Sequence, residues 1–373
     1  MRAIDRVSFR SGPQIDMPLL VTIVAIATAG ILNLYSATSV YIDAGHRSGL
    51  ADIYVSQVYW IVVGSLLAIL AAAIDYRHFE RFAYFVYIGG ILSLLFVLLT
   101  GGAIRGSSRW IQLGNFTFQP SEFMKILVVL VVAKYHHNDP KIEPRTLFDL
   151  LPPVFLTLVP VGLVMAQPDL GTSITYILTS GTILAMTKIR RRSWIAGLGC
   201  VSGAAFVLWK YGMRDYQKAR VTSFLNPEAD VTGTGWHALQ SRTAIGNGGI
   251  WGEGYMQGTQ NQFNFLPDQH SDFPFAVFAE DWGFIGSSLL LGVYCFLCIW
   301  SIHIASQAKD RFGAALAIGV GAIVFWHTVF NVGMALGLLP VVGVTLPLFS
   351  YGGSSVATIL IGLGLLMNVS MRR

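Results

Sequence analysis

Apolar stretches long enough to cross a lipid bilayer recur along almost the whole chain. A spanning helix needs about 20 apolar residues, and inside the bilayer every backbone polar group must be hydrogen-bonded within the protein. Ten such stretches are centred near residues 17–37, 57–74, 82–100, 121–135, 150–166, 171–187, 194–209, 275–302, 314–338 and 353–370. The sequence therefore predicts an all-α, polytopic membrane protein with about ten transmembrane helices, in which residues 1–373 form a single domain.

The composition fits a protein that works in a membrane. The chain is 54% hydrophobic and 12% charged, whereas a typical soluble domain is about 25% charged. The net charge of +5 is not gathered into a basic patch, so we expect membrane lipid and no nucleic acid among the partners. The sequence also has no G-x-x-x-x-G-K-[ST] phosphate loop, which argues against direct use of ATP.

The basic residues predict an orientation. If the N-terminus is cytoplasmic, most of the 25 lysines and arginines fall in cytoplasmic segments, including Arg2, Arg6 and Arg10. That distribution follows the positive-inside rule. It predicts that both termini are cytoplasmic and that the long polar segment 210–274 lies on the outer face. The first apolar stretch lacks a strong cleavage site, so we expect a retained span rather than a signal peptide.

Segment 210–274 is the longest polar interruption of the sequence. It is Gly-rich and shows no obvious regular structure, and loops of this length are usually functional or disordered. Its Trp, Phe and Tyr content favours a segment folded against the end of the helices. The segment delivers Asp272 to a bilayer boundary, where a charge is costly and usually functional. Spacing alone leaves a helix cap or a surface acid equally open for Asp272.

The start of the fourth apolar stretch carries two opposite charges. Ser121 is expected to cap the helix, and Glu122 suits its positive end. Lys125 is costly about one turn into an apolar helix unless it is paired or faces water. Glu122 lies three residues earlier on the same face and can pair with it. The pair is either purely structural or lines a hydrated cavity.

Other polar residues cluster near the same predicted face. Asp169 lies where the fifth and sixth stretches meet, and it is either a helix cap or a cavity residue. Trp110 fits an interfacial aromatic belt, and Ser354 lies in a Gly-rich turn that suits either a tight bend or close approach to a ligand. His327 and Asn331 share a helix face and predict interhelical hydrogen bonds. Several cations could bind phosphate if they converge: Arg105, Arg109, Arg214, Lys218 and Arg220.

Taken together, these motifs resemble the SEDS family of bacterial polytopic membrane proteins (shape, elongation, division and sporulation). The resemblance covers nearly the whole chain. Gly258-Thr259-Gln260 resembles the elongation branch of the family rather than the division branch. The motifs that carry the family resemblance are Ile31-Leu32-Asn33-Leu34-Tyr35-Ser36-Ala37, Arg109-Trp110-Ile111, Gln119-Pro120-Ser121-Glu122 with Lys125, Gln167-Pro168-Asp169-Leu170-Gly171-Thr172, Ala244-Ile245-Gly246, Gly248-Gly249, Leu266-Pro267 with His270, Asp272 and Phe273, Gly337-Leu338-Leu339-Pro340 and Ser350-Tyr351-Gly352-Gly353-Ser354-Ser355.

The resemblance implies a peptidoglycan glycosyltransferase in the bacterial cytoplasmic (inner) membrane. Such an enzyme polymerises lipid II into β-1,4-linked strands with inversion, at the outer face, during elongation and maintenance of rod shape. The implied partners are lipid II, a class B penicillin-binding protein and other proteins of the elongation machinery. No tightly bound cofactor or permanent metal is expected, and any Mg²⁺ or Mn²⁺ would arrive with the substrate.

The resemblance also implies site residues. The essential acid of the family falls on Asp272, which becomes the candidate catalytic base. The predicted substrate cavity contains Glu122, Lys125, Arg109, Trp110, Asp169, Arg220, His270 and Ser354. Ser271 replaces the usual Thr of the motif, and His327 stands where Gln or an apolar residue is expected.

Three other functions stay open at this point. The chain could be a lipid II flippase, because transporters also have broken helices around a polar cavity. It could be the division or sporulation member of the same family. It could also be a scaffold that only recruits the penicillin-binding protein.

Overall fold

The fold was analysed in a computed structural model that describes residues 14–43, 52–100, 109–113, 116–139, 141, 143–213, 215–226, 233–263, 265–266 and 268–373. Its helices are α1 Met17–Asp43, α2 Ile53–Ala73, α3 Tyr76–Thr100, α4 Pro120–Asn138, α5 Leu151–Ala166, α6 Leu170–Ala185, α7 Arg191–Val207, α8 Asp215–Leu225, α9 Thr234–Asn247, α10 Thr259–Gln262, α11 Pro274–Ser306, α12 Arg311–Ala335 and α13 Gly353–Met371. A short antiparallel hairpin, β1 Ile111–Leu113 and β2 Phe116–Phe118, precedes α4.

The predicted transmembrane helices are present. Within the described ranges, eight helices are long and apolar enough to cross a membrane, when α5 is taken with the turn before it (Phe148–Ala166) and α7 with the turn after it (Arg191–Gly212). Two more predicted spans form shorter or more polar helices, since α6 has 16 residues and α4 carries Glu122, Lys125 and Lys134. The prediction of an all-α polytopic membrane protein is therefore confirmed, and the fifth and sixth spans do break between Ala166 and Leu170.

The interior of the bundle is built around α4, α12 and α13. In α13, 89% of the most apolar 18-residue stretch is buried inside the protein, and in α12 the share is 67%. Helix α13 packs along α2, while α12 packs against α4, α6 and α11. At the other extreme, only 6% of the most apolar stretch within Arg191–Gly212, the span that begins with α7, is buried. The peripheral helices therefore expose apolar side chains to lipid, as expected of a bundle that lies in a bilayer.

Segment 210–274, in which the sequence shows no obvious regular structure, contains regular helices. The segment contains α8, α9 and α10, and α9 packs against α11 and α12. Ala244 of α9 is fully buried, and Ser241 donates a hydrogen bond to the Ala335 carbonyl at 2.9 Å. These helices are short and mostly polar, so tertiary packing stabilises them more than their own sequence pattern does. The prediction that the segment folds against the end of the bundle is confirmed.

One end of the bundle gathers four helix starts. The residues just before α4, α6, α11 and α13 are Gln119, Asp169, Phe273 and Gly352. The α8–α10 segment lies at this end, which we call the loop face. Here the structure corrects the predicted cap of α4, because the helix begins at Pro120 with Gln119 in the cap position. Ser121 Oγ instead accepts a hydrogen bond from the side-chain amide of Gln119 at 3.1 Å.

We expect Gly364→Ala to destabilise the protein. A Cβ at this position would lie 2.4 Å from the Ala68 carbonyl oxygen of α2, and forcing extra volume into a packed contact costs about 1–3 kcal/mol. Gly362→Ala is the matched control in the same helix, because the nearest atom would be 3.5 Å away on Val320. Thermal unfolding in detergent should show a lower midpoint for the first variant only. Equal midpoints would contradict the close α2–α13 packing.

Candidate functional site

A cavity of about 200 Å³ opens at the loop face. Its walls come from α4, α6, α12 and the start of α13, and from the segments that precede α4, α6, α11 and α13. Seven of the predicted site residues line it, namely Asp272, Glu122, Lys125, Arg109, Trp110, Asp169 and Ser354. The fold thus brings together residues that are as far apart in the sequence as 109 and 354.

The buried ion pair of α4 forms one wall of this cavity. Lys125 Nζ lies 2.9 Å from both carboxylate oxygens of Glu122, and the lysine is only 4% exposed. Its third partner is Nε2 of His327 on α12, also at 2.9 Å. The pair therefore neutralises two buried charges and also lines the cavity, which favours the second of the two interpretations of the sequence.

Asp169 and Arg109 form a second charged pair at the cavity. The Asp169 carboxylate accepts the Thr172 amide at 3.2 Å, which caps α6. Arg109 lies 3.7 Å from the same carboxylate and donates to the Gln167 carbonyl at 2.9 Å and to the Pro168 carbonyl. The arginine therefore holds the chain between α5 and α6, and Asp169 serves both as a cap and as a lining residue.

Asp272 lies at the cavity wall, two residues before α11 begins. Asn331 of α12 holds its backbone carbonyl at 3.0 Å and also donates to the Val344 carbonyl at 2.9 Å. A Cβ on Gly343 would lie 3.8 Å from Asp272 Oδ2, so the 343–345 segment passes beside the carboxylate. Gly343 has a φ of 73°, a conformation that favours glycine.

The surroundings of Asp272 raise the pKa of its carboxyl group. Desolvation by the protein, with a smaller contribution from the Asp268 carboxylate, raises the pKa of Asp272 from 3.8 to about 6. Arg220 on α8 acts in the opposite direction and lowers this pKa. The result is a carboxylate that is mostly ionised at neutral pH and still has a useful affinity for a proton.

Ser354 and Gln119 join the α13 start to the α4 start. Ser354 Oγ accepts a hydrogen bond from the backbone N–H of Gln119 at 3.1 Å and donates to the Thr117 carbonyl at 3.4 Å. The Gln119 side chain reaches Asp169 at 3.4 Å. The Gly-rich turn before α13 therefore serves as a wall of the cavity, and Tyr351 and Gly352 line it as well.

Two predicted cavity residues lie outside the lining. Arg220 acts on Asp272 electrostatically from α8 and is not among the residues that line the cavity. The backbone carbonyl of His270 accepts a hydrogen bond from the Tyr351 amide at 2.8 Å, and the two rings are 6.1 Å apart, so His270 contacts a residue that lines the cavity. Arg105 and Arg214, two of the cations considered for phosphate binding, lie outside the described residues.

Sequence reasoning missed several lining residues, of which His327 and Thr345 are the most consequential. His327 and Asn331 were expected only to bond between helices. Their side chains are 1% and 0% exposed, and His327 faces the cavity. A lysine and a histidine in two apolar spans each needed a partner, and that shared need is the signal that could have paired them.

Comparisons with known proteins agree on one family. The FtsW/RodA/SpoVE family model, described as "Cell cycle protein", matches residues 17–373. Peptidoglycan glycosyltransferase MrdB of Escherichia coli K12 is 40% identical over 345 residues, which cover 92% of this chain and 91% of that protein. Peptidoglycan glycosyltransferase RodA of Treponema pallidum is 31% identical, with 96% and 98% covered.

A solved structure has the same fold. It comes from work on the structural coordination of polymerization and crosslinking by a peptidoglycan synthase complex. The matched chain superposes with a TM-score of 0.81 at 31% identity, and the match covers 96% of this chain and 98% of that one. The similarity therefore extends over nearly the whole chain.

We expect Glu122→Gln to destabilise the fold. It would leave the Lys125 charge buried without its counter-ion, which costs about 3–5 kcal/mol. The double variant Glu122→Gln/Lys125→Met should recover most of this loss in a thermal unfolding measurement, since it removes both charges. Lys141→Met is the control, because its pair with Asp149 is 38% and 22% exposed and worth under about 1 kcal/mol. A double variant as unstable as the single one would contradict the ion pair.

Proposed function

The chain belongs to the FtsW/RodA/SpoVE family, and we propose that it is the peptidoglycan glycosyltransferase that polymerises lipid II during cell elongation. The observation that carries the proposal is the position of Asp272. Its carboxylate lies at a cavity that also holds the Glu122–Lys125 pair and Arg109. A proton acceptor and two cations thus lie together at one end of the bundle.

The proposed reaction is a single displacement with inversion. The acceptor sugar hydroxyl loses its proton to Asp272 as its oxygen bonds to the anomeric carbon of the donor. The bond from that carbon to the undecaprenyl diphosphate breaks at the same time, and its electron pair leaves with the diphosphate. A positioned base of this kind typically contributes about 10²–10⁴-fold to the rate.

Arg109 is the side chain that would bind the departing diphosphate directly, and Lys125, whose ammonium is paired with Glu122, would act on it only through its charge. Lys125 and Arg109 line the cavity, and the Arg109 side chain keeps 27% of its surface exposed. Preorganised charges of this kind stabilise a leaving group strongly in a water-poor site. Arginine also matches the geometry of two phosphate oxygens. We assign Arg220, which lies outside the cavity lining, the role of lowering the pKa of Asp272.

The size of the cavity limits what can enter it. At about 200 Å³ it is smaller than the roughly 300–1,000 Å³ of pockets that enclose a drug-sized ligand. In this proposal only the reacting groups of two lipid-linked sugars occupy it. The isoprenoid chains lie among the peripheral helices, and the peptides remain outside the loop face.

A divalent cation, if it takes part, would arrive on the substrate diphosphate. Within the described ranges, no group of three or more His, Cys, Asp or Glu side chains is placed to hold a metal. Glu122 and Asp169 already face Lys125 and Arg109. The diphosphate oxygens are then the ligands that Mg²⁺ or Mn²⁺ would find, and oxygen ligands suit both ions.

The proposed setting is the bacterial inner membrane, with the loop face outside and a class B penicillin-binding protein as partner. The distribution of Lys and Arg supports the orientation. The similarity to a chain from a polymerization and crosslinking complex supports a partner that crosslinks. Gly258-Thr259-Gln260 supports the elongation branch over division or sporulation, and other elongation proteins would then be partners as well.

We expect Asp272→Asn to lower lipid II polymerisation by about 10²–10⁴-fold, because the amide cannot take the acceptor proton. The measurement is glycan chain formation from purified lipid II in proteoliposomes. Asp268→Asn is the matched control, since the backbone carbonyl of this acid accepts the Asp272 amide at 3.0 Å in both variants and its side chain acts on Asp272 through charge alone.

The same assay separates the alternatives. Polymer at the wild-type level from Asp272→Asn would contradict the proposed base and favour a scaffold. Transfer of labelled lipid II across the bilayer without polymer would favour a flippase. Rescue of rod shape in cells depleted of their elongation enzyme, but not of septation in cells depleted of their division enzyme, would identify the elongation branch.

We expect the polymerisation rate to follow the ionisation of Asp272. The base acts in its deprotonated form, so kcat/KM should be constant above its pKa of about 6 and fall about tenfold per pH unit below it. Circular dichroism at each pH checks that the fold persists. A profile that stays flat from pH 7 down to pH 5 would contradict a base with this pKa.

A further inference from the structure

We propose that His327 is a positioning residue for this reaction. This inference rests on the proposed function above. Its ring holds the Lys125 side chain in place at the cavity wall and ties that wall to the segment beside Asp272. His327 itself is neither the base nor a charged group of the proposed reaction. Its contribution is to fix where the charge of Lys125 lies relative to the base.

The hydrogen bonds define which ring nitrogen carries the proton. His327 Nδ1 lies 2.9 Å from the Thr345 carbonyl oxygen, which can only accept, so Nδ1 must donate. Nε2 lies 2.9 Å from Lys125 Nζ, and an ammonium can only donate. Nε2 therefore presents its lone pair to the lysine. A proton on Nε2 would instead oppose an N–H to the ammonium, so the ring is neutral and has one tautomer.

The three N–H groups of Lys125 are thereby all used. Two point to the carboxylate oxygens of Glu122 and the third to His327, each at 2.9 Å. Glu122 is on the same helix and can follow a moving lysine. His327 is on α12 and cannot, so it is the partner that fixes the ammonium relative to the rest of the site.

Helix α12 also holds the segment that bears the base. Asn331 lies four residues after His327, about 6 Å farther along the helix. Its amide donates to the Asp272 carbonyl at 3.0 Å and to the Val344 carbonyl at 2.9 Å. The two side chains thus anchor adjacent carbonyls, those of Val344 and Thr345, and set Lys125 and Asp272 at a constant separation along one rigid helix.

Two substitutions divide the functions of the ring. Gln places its carbonyl oxygen near the position of Nε2, so His327→Gln keeps an acceptor for Lys125. Asn places its amide nitrogen near the position of Nδ1, so His327→Asn keeps the donor to Thr345 and loses the lysine contact. Both replace the ring by an amide, which makes them a matched pair for folding.

The test measures kcat and KM for polymerisation by wild type, both variants and Asp272→Asn, with thermal unfolding of each. We expect His327→Asn to lose roughly 10–100-fold in kcat, the scale of a lost bond to a charged group, with KM changed by less than about threefold. His327→Gln should stay within about threefold of wild type in both. Equal losses in the two variants, or a loss confined to KM, would overturn the proposal.

A second measurement does not depend on activity. Solid-state ¹⁵N NMR of histidine-labelled protein in liposomes, compared with His327→Asn, isolates the signal of this ring. We expect a neutral ring with its proton on Nδ1, and an Nε2 signal that shifts in the double variant Glu122→Gln/Lys125→Met, which leaves no unpaired buried charge. A proton on Nε2, or no shift, would overturn the contact. Wild type that makes no polymer yet shows this signature would instead overturn the proposed function alone.

Discussion

The arrangement of the site depends on a lysine that would be costly in a bilayer without partners. Lys125 lies about one turn inside α4, and its ammonium is stable there because Glu122 and His327 surround it. That need for partners draws α12 against α4 and places the cavity at their junction. The same side chain thus links the packing of the bundle to the electrostatics of the reaction.

Asp272 reaches the cavity by a different route. It belongs to the end of the 210–274 segment, and the bundle holds it through its backbone, with Asn331 on its carbonyl and the 343–345 segment beside its carboxylate. The carboxylate itself is left for chemistry, with a pKa of about 6 caused mainly by desolvation. A fixed backbone with the carboxylate at a cavity is what a general base requires.

Hydropathy was sufficient to predict the bundle, because a bilayer demands long apolar helices wherever the chain crosses it. The pairing of Glu122 with Lys125 followed from their spacing, and the family motifs pointed to Asp272. The helices of the loop and the positions of Arg220 and His270 could not be predicted, because they depend on packing between distant segments. His327 escaped for the same reason, since its partners Lys125 and Thr345 lie on other elements.

The central claim is that one cavity at the loop face holds the acceptor hydroxyl and the leaving diphosphate together. A structure of Asp272→Asn with lipid II bound in lipid nanodiscs tests it most directly. The account predicts a sugar hydroxyl within hydrogen-bonding distance of residue 272 and the diphosphate beside Lys125 and Arg109. Lipid II bound with its diphosphate at the opposite end of the bundle, or on the outer surface of α7, would contradict it.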